Sequence, residues 1–583
     1  MIMLHRHWMQ WHQYLRLTII HQHANNQLQL LHCSLFRAAP RCQTEGEVIL
    51  INKATRAARL LTAALIIALL VSLTGLGCNQ AEEPLMPSGA DEMRLVIARA
   101  EPFLNDFGRM IASDGRVEGA PLYAVDLTLD VDSKEISGNQ QVLYTNVTGD
   151  TLSEVVFKIY ANGVGSPEPV VISEVMVDGA DADFSVEGQV FTVESPRDIE
   201  PEETAYISFS FVEPVPEAGT ENSGGRYSWH NDTFNLANLL PTLSRYTSGS
   251  WDTRPAPLEG DSNYADCAWY LVSIEAPPEY VVAATGLEIE TGDSRRLFAA
   301  GPVRDFQVQA SSRYITEERQ SGDVTVTSYF FEEDATAGRA ALDIGWGTLE
   351  EFSSNFGPYP YTRLNICECD TGTKGGAMEF SGQVQIGSSF YQGEDYSNYF
   401  EILVSHEVGH QWWAIGVGSD SIGAPWIDEC LNTWCEALYN LWSYGEEGYF
   451  DKFDSLASGY RKIRARGVTD APAGLAVDDY ESGDQYVLAV YRKGPLFFAQ
   501  LFDLMGPEAL ISALSTYYHD FLFLNADAED LLEPLREASP DPSRVDDLYQ
   551  RWILEACGDE DTVQYLADPE TSSSGTMLLI PAA

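Results

Sequence analysis

His406 and His410 stand four residues apart in the run SHEVGHQWW, and no other feature constrains the chain as strongly. Residues four apart share one face of an α-helix, so a helix here offers two imidazole nitrogens to a single ion. Glu407 projects from the neighbouring edge, where a carboxylate can take a proton from water beside a metal instead of binding the metal. A third protein ligand is then needed. Glu429, in WIDEC after 18 intervening residues, supplies it if Trp426 to Tyr439 forms a second helix packed antiparallel to the first, with SDSIGAP as the turn. Two histidines, one glutamate and an open position make a catalytic zinc site and not a closed structural one. Histidine is scarce elsewhere: beyond residue 32 only His230, His406, His410 and His519 remain, so half of these lie in one five-residue motif.

Two further segments carry chemistry. Gly375-Gly376-Ala377-Met378-Glu379-Phe380 precedes the histidine helix, and Tyr491-Arg492-Lys493-Gly494 follows it. In order and spacing these resemble the GAMEN exopeptidase loop and the YxKG motif of the aminopeptidase N (M1) family of zinc metallopeptidases, of the gluzincin type. With FGPYPYTRL and LYQRWI included, the resemblance covers residues 115–557. It implies one Zn(2+) per chain, bound by His406, His410 and Glu429, with Glu407 as general base. It further implies that Glu379 holds the free amino group of a peptide, within a substrate-binding stretch of Gly376, Ala377 and Met378, and that Tyr491 hydrogen-bonds the oxyanion. The residue types suit those roles, because zinc-assisted peptide hydrolysis needs an activated water and a donor aimed at the oxygen where charge develops. A buried anion would recognise an ammonium and limit how far a chain can enter.

The motifs depart from the family pattern in two places. Phe380 stands where the GAMEN asparagine would be, exchanging a polar contact for an aromatic wall. The usual Asn-Glu-Gly around the third ligand reads Asp428-Glu429-Cys430. Glu436, seven residues beyond Glu429 and near its helix face, is a candidate partner for a ligating histidine; a solvated helix glutamate is the alternative. A zinc endopeptidase would keep the metal residues without using Glu379 for an amine, and a non-catalytic scaffold of the same family is the different-class alternative. Such scaffolds usually have broken ligands, and none is broken here.

Lys53, Arg56 and Arg59 precede an uncharged apolar run from Leu60 to Gly77 that ends in Gly75-Leu76-Gly77-Cys78. Charged, apolar and then small residues form the pattern of a signal peptide. Small residues leading into a cysteine resemble a bacterial lipobox, with Cys78 lipidated as the first mature residue; a retained signal anchor is the alternative. Either way the chain is expected outside the cytoplasm, in a bacterial cell envelope, and on the first reading anchored to a membrane by lipid. Residues 1–52 hold six of the ten histidines and no glycine before Gly46, a composition unlike the rest. They read as an upstream extension that is not native to the protein, a His-rich metal-binding segment being the alternative.

The formal net charge is -52, with 87 acidic against 35 basic residues, only seven of them lysine. Such a surface repels phosphates and argues against nucleic acid as a partner. Six cysteines follow Cys78: Cys267, Cys367, Cys369, Cys430, Cys435 and Cys557. In an exported chain an even count suggests disulfides, here with a bridge from the Cys367/Cys369 strand to the Cys430/Cys435 helix; a second metal site or free thiols stay open.

Period-two alternation in 125–132, repeated in VVFKIYA, AYISFSF, WYLVSIE and VTVTSYF between Pro, Gly and Asp clusters, reads as strands. From Ala335 the pattern turns helical, through ALDIGWGTLEEF, ILVSHEVGHQWWA, LNTWCEALYNLW and LFFAQLFDLM. The expected fold is α+β and multidomain: a signal segment at 53–78, a tether with a short helix at 79–114, and an all-β N-terminal domain at 115–315. A thermolysin-like, mainly helical zinc catalytic domain at 316–557 and a flexible tail at 558–583 follow. The chain ends soon after LYQRWI, leaving no room for the large helical C-terminal domain of many relatives.

Overall fold

Strict alternation of buried and exposed side chains along Glu135–Thr145 and Thr204–Pro214 makes each a strand with one face on a core. These two pair antiparallel inside an eight-stranded sheet. Its middle is different in kind. Ala268–Glu275, buried on both faces, runs parallel to Leu122–Asp130, so layers cover it on each side. Two smaller four-stranded sheets, one of them built on Thr233–Leu236 and Val308–Ser311, complete this β-rich part.

The computed structural model describes residues 86–163, 169–219, 226–257, 260–261, 264–372, 376–392 and 398–565. The expected extension, the signal segment and Cys78 lie outside the described residues, as does Gly375. Residues 84–583 form one compact unit, to which everything described belongs.

A five-stranded sheet opens the second part, in the order Tyr314–Ser321, Val324–Phe331, Arg363–Cys369, Gln383–Gly387, Ala377–Phe380. The three central strands are parallel and both edges antiparallel. Against it packs Ala335–Asn355, a 21-residue helix burying Ala341, Leu342, Trp346, Leu349 and Phe352. The remaining helices follow: Asn398–Gly409, Leu431–Tyr444, Glu446–Arg464, Pro495–Met505, Pro507–Phe521 and shorter ones. One apolar core runs through both parts, from Val125 and Phe211 to Trp412, Trp434 and Trp552. The chain is thus α+β, a β-rich part followed by a mainly helical part with a small sheet.

Within 79–114, expected as a tether with a short helix, two short helices at Leu95–Ala100 and Asp106–Ala112 precede the first strand. The structure corrects three expectations. The VTVTSYF strand, grouped with the β-rich runs by its period, pairs in the five-stranded sheet instead. Residues 558–565, assigned to a flexible tail, form two helical turns that bury Tyr565 against Phe453 and Trp552. No bridge joins the strand to the helix, for all six described cysteines are free. Each buried thiol is enclosed by its own neighbours: Cys369 Sγ accepts from Gln309 Nε2 at 2.6 Å, and Cys430 Sγ donates to the Val490 carbonyl at 3.0 Å.

Candidate active site

Apolar residues Leu403, Val404 and Val408 seat the helix Asn398–Gly409 on the core, with His406 and His410 on the opposite side. The helix closes at Gly409, and the His410 N–H still bonds to the His406 carbonyl at 3.2 Å, so the two imidazoles keep helical spacing. Gly409 also lets the next helix approach. A Cβ there would collide with the side-chain oxygen of Asn432, whose Nδ2 donates to the His406 carbonyl at 2.7 Å. That contact sets Leu431–Tyr444, and the turn before it, against the histidines.

Glu429 lies in that turn, Trp426–Cys430, which is wound as a π-helix. Single π-turns are rare and concentrate where a side chain must be re-aimed. Glu429 Oε2 sits 3.2 Å from His406 Nε2 and 3.5 Å from His410 Nε2, and the two Nε2 atoms are 3.0 Å apart. Ligands of a tetrahedral zinc at its usual bond lengths are separated by roughly 3.4 Å, so the three atoms already stand at the spacing of one coordination shell. All three residues are buried, His410 completely. Each outer nitrogen is engaged: His406 Nδ1 donates to Glu436 Oε1 at 2.9 Å, and His410 Nδ1 to the Trp413 carbonyl at 2.9 Å. Both Nε2 atoms are therefore left facing the Glu429 carboxylate, an arrangement that calls for a positive charge there, a proton or a metal ion. The electrostatics agree. Burial alone would depress His406, but Glu429 and Glu436 hold it up to about 9. Burial would raise Glu429, yet the two imidazoles hold it well below the ordinary carboxylate range. The donor set fits zinc.

Glu407 is buried beside this cluster, and its burial pushes the carboxyl up to about 7. Lys452, from Glu446–Arg464, pairs with the second oxygen of Glu436 and neutralises it. Asp428, in place of the family's asparagine, accepts from Ser421 Oγ at 2.6 Å, Ser419 Oγ at 3.1 Å and the Glu429 N–H at 2.7 Å.

A second π-turn, Val487–Lys493, carries Tyr491. Its five-residue register places Tyr486 and Tyr491 on one face, their rings edge to face at 5.6 Å. The Tyr491 hydroxyl donates to Glu429 Oε1. Close approach again depends on a glycine, since a Cβ on Gly494 would collide with the Cys430 sulfur.

Glu379 lies on the edge strand Ala377–Phe380 and not in a loop; a two-residue turn, with Gly382 at φ +67°, joins it to Gln383–Gly387. Gln411, next to His410, clamps this hairpin: its Nε2 donates to the Phe380 carbonyl at 2.9 Å and its Oε1 accepts from the Gly382 N–H at 3.0 Å. From the β-rich part, Asp305 Oδ1 accepts from the Ser381 N–H at 3.0 Å. Glu379 lines a pocket with Met378, Phe380, Arg226 and Asp261, while Ala377 is half-buried and Gly376 exposed at the strand's start. Glu379 is 8% and Asp261 6% exposed, and the two carboxyls act on each other. Burial pushes Glu379 well up, Asp261 adding to the effect, and burial with Glu429 raises Asp261. Two such carboxylates in one pocket favour a cationic occupant.

Asp261, Gln411, Lys452 and Tyr486 were not singled out in the sequence. Gln411 and Tyr486 adjoin readable motifs. Asp261, in a loop rich in Pro, Gly and Asp, has no local signal that separates it from a turn residue.

Residues 340–552 match the model of the Peptidase family M1 domain. Aminopeptidase M1 of Arabidopsis thaliana is 27% identical over 245 residues, 40% of this chain and 27% of that protein. Aminopeptidase M1-C of Oryza sativa subsp. japonica is 27% identical over 236 residues, 37% of this chain and 25% of its own length. The chain thus spans about a quarter of these curated M1 relatives. The M1 zinc metallopeptidase of Deinococcus radiodurans superposes with a TM-score of 0.53 at 18% identity, covering 74% of this chain and 93% of that one. This likeness shows that the β-rich part and the mainly helical part follow the fold of that structure.

Proposed function

We propose that this protein is a zinc-dependent aminopeptidase that hydrolyses N-terminal residues from peptides, with one zinc held by His406, His410 and Glu429. What carries the reading is the pair of buried carboxylates, Glu379 and Asp261, lining one pocket beside the histidine–glutamate cluster. The M1 relatives named aminopeptidase support it. One related structure was determined with a Tyr-Ser-Ala substrate, in keeping with a peptide as the molecule acted on.

In this reading zinc supplies Lewis acidity, polarising the scissile carbonyl and making water nucleophilic near neutral pH. The chain does the rest. Glu379 and Asp261 hold the substrate ammonium, and by enclosing it they exclude a blocked N-terminus. Glu407 accepts the proton of the attacking water and returns it to the departing amine, a task suited to a carboxyl held near 7. The Tyr491 hydroxyl, bonded in the resting site to Glu429, is free to turn its proton to the developing oxyanion. Glu436 and Lys452 orient His406. Phe380, 2% exposed, walls the first side-chain pocket. We further place the enzyme outside the cytoplasm on a lipid anchor at Cys78, a placement supported by the sequence pattern alone.

Mass spectrometry of a ten-residue peptide incubated with the zinc-loaded protein tests this. A ladder shortened one residue at a time from the N-terminus is expected. Internal fragments would mean an endopeptidase, and an intact peptide a scaffold.

A further inference from the structure

Arg492 directly follows Tyr491 on the second π-turn, is half-buried, and makes no hydrogen bond or ion pair with any described residue. Its neighbour Lys493 is the opposite case. Fully buried, it pairs with Asp470 at 3.3 Å and donates to the carbonyls of Ala471 and Glu555. Lys452, another cation next to the site, is taken up by Glu436. With 87 acidic residues in the chain, a guanidinium next to Tyr491 with no acid on it among the described residues is conspicuous.

Its position is built. A Cβ on Gly459 would lie 2.9 Å from Arg492 Cδ and 3.0 Å from Nε, so the arginine stem crosses a bare stretch of Glu446–Arg464. Glycine inside a helix costs stability, and here its gain is room for that stem. Tyr399, at the start of the HEVGH helix, keeps much of its ring exposed while burial of its hydroxyl pushes the phenol up, with Arg492, Glu436 and Glu407 as the charges acting on it. Arg492, Glu436 and Glu407 are thus all within electrostatic reach of the Tyr399 hydroxyl.

Resting on the aminopeptidase reading, we propose that Arg492 binds a carboxylate of the substrate beyond the scissile bond and so selects peptides that carry one at the second or third residue. With the ammonium at Glu379 and the scissile carbonyl at Tyr491, the remaining chain must leave along the side that Glu407 faces. Two extended residues reach about 7 Å, within range of an arginine side chain adjoining Tyr491. A guanidinium fork matches a carboxylate, and the otherwise acidic surface repels one, so the preference has a local source. The carboxylate belongs either to the C-terminus of a tripeptide or to an acidic side chain.

The test compares kcat/KM of the full zinc-loaded chain on Leu-Ala-Ala, Leu-Ala-Ala amide and Leu-Asp-Ala amide at low salt. At least one carboxylate-bearing peptide should be favoured over the neutral amide by about tenfold, the worth of one charged hydrogen bond. Which one is favoured tells terminus from side chain. In Arg492→Gln the ratio should fall to near one through KM, and Arg492→Lys should retain part of it. Because each ratio is taken within one variant, the folded fraction cancels. Equal cleavage of all three by the unaltered protein overturns the proposal while leaving the aminopeptidase reading intact, as does a preference that survives Arg492→Gln. No cleavage of any of them overturns both.

Discussion

Glu436 and His406 lie on different helices, and Glu436 Oε1 accepts a hydrogen bond from His406 Nδ1 at 2.9 Å. That bond holds the ring with Nε2 turned toward Glu429, the nitrogen that a metal ion would take. Lys452 on the other carboxylate oxygen keeps Glu436 charged despite full burial, and its carboxyl stays below the ordinary range.

Glu436→Gln should therefore weaken zinc binding by about 10- to 100-fold, the usual effect of losing a partner of a ligating histidine. Competition with a chromogenic chelator measures it directly. Unchanged affinity would mean that the contact merely packs.

Gly494 and Cys430 are coupled by space. Gly494→Ala drives a methyl into the Cys430 sulfur and should cost about 1–3 kcal/mol, as overpacking usually does. Cys430→Ala removes the obstacle. In the double variant the loss from Gly494→Ala should shrink, which a thermal-unfolding double-mutant cycle reads out. Additive losses would argue against the clash.

Much of the site is legible in the sequence because metal chemistry dictates residue type and spacing together. Two imidazoles four apart and a carboxylate one turn-and-return later leave few alternatives, and the structure brings His406, His410 and Glu429 to one point. Glu379 and Tyr491 are readable only through family motifs, since nothing local distinguishes a buried glutamate on an edge strand from a solvated one. Asp261 escapes both routes: its partner Glu379 is 118 positions away, and the loop between Trp251 and Ala268 has no period to read. The same limit governs the fold. Val324–Phe331 is recognisable as a strand by alternation, but its sheet is decided by pairing with Arg363–Cys369, a tertiary choice. The cysteines were misjudged because an even count says nothing about which thiols face each other.

Glu213 offers a pH test far from the metal. It is fully buried on Thr204–Pro214 beside the Tyr227 hydroxyl, and burial pushes its pKa up to about 8. The folded chain thus keeps Glu213 protonated between pH 4.5 and 8 while the unfolded chain ionises it. Its contribution to stability is full below about pH 4.5 and is lost progressively as pH rises toward 8, at up to ~1.4 kcal/mol per pH unit. Glu213→Gln should remove that dependence. Its stability relative to the unaltered protein, from urea unfolding, is expected to rise by a few kcal/mol from pH 5 to pH 8; a constant difference would contradict it.

The measurement closest to the central claim is the rate on leucyl-alanine amide against its N-acetylated form, taken with zinc-loaded protein, after chelation, and in Glu407→Gln. Hydrolysis confined to the free amine is expected. It should be abolished by chelation, restored by zinc and lowered by about 10²- to 10⁴-fold in Glu407→Gln. Equal hydrolysis of the acetylated substrate would contradict the role given to Glu379 and Asp261, and activity that survives chelation would contradict the metal site itself.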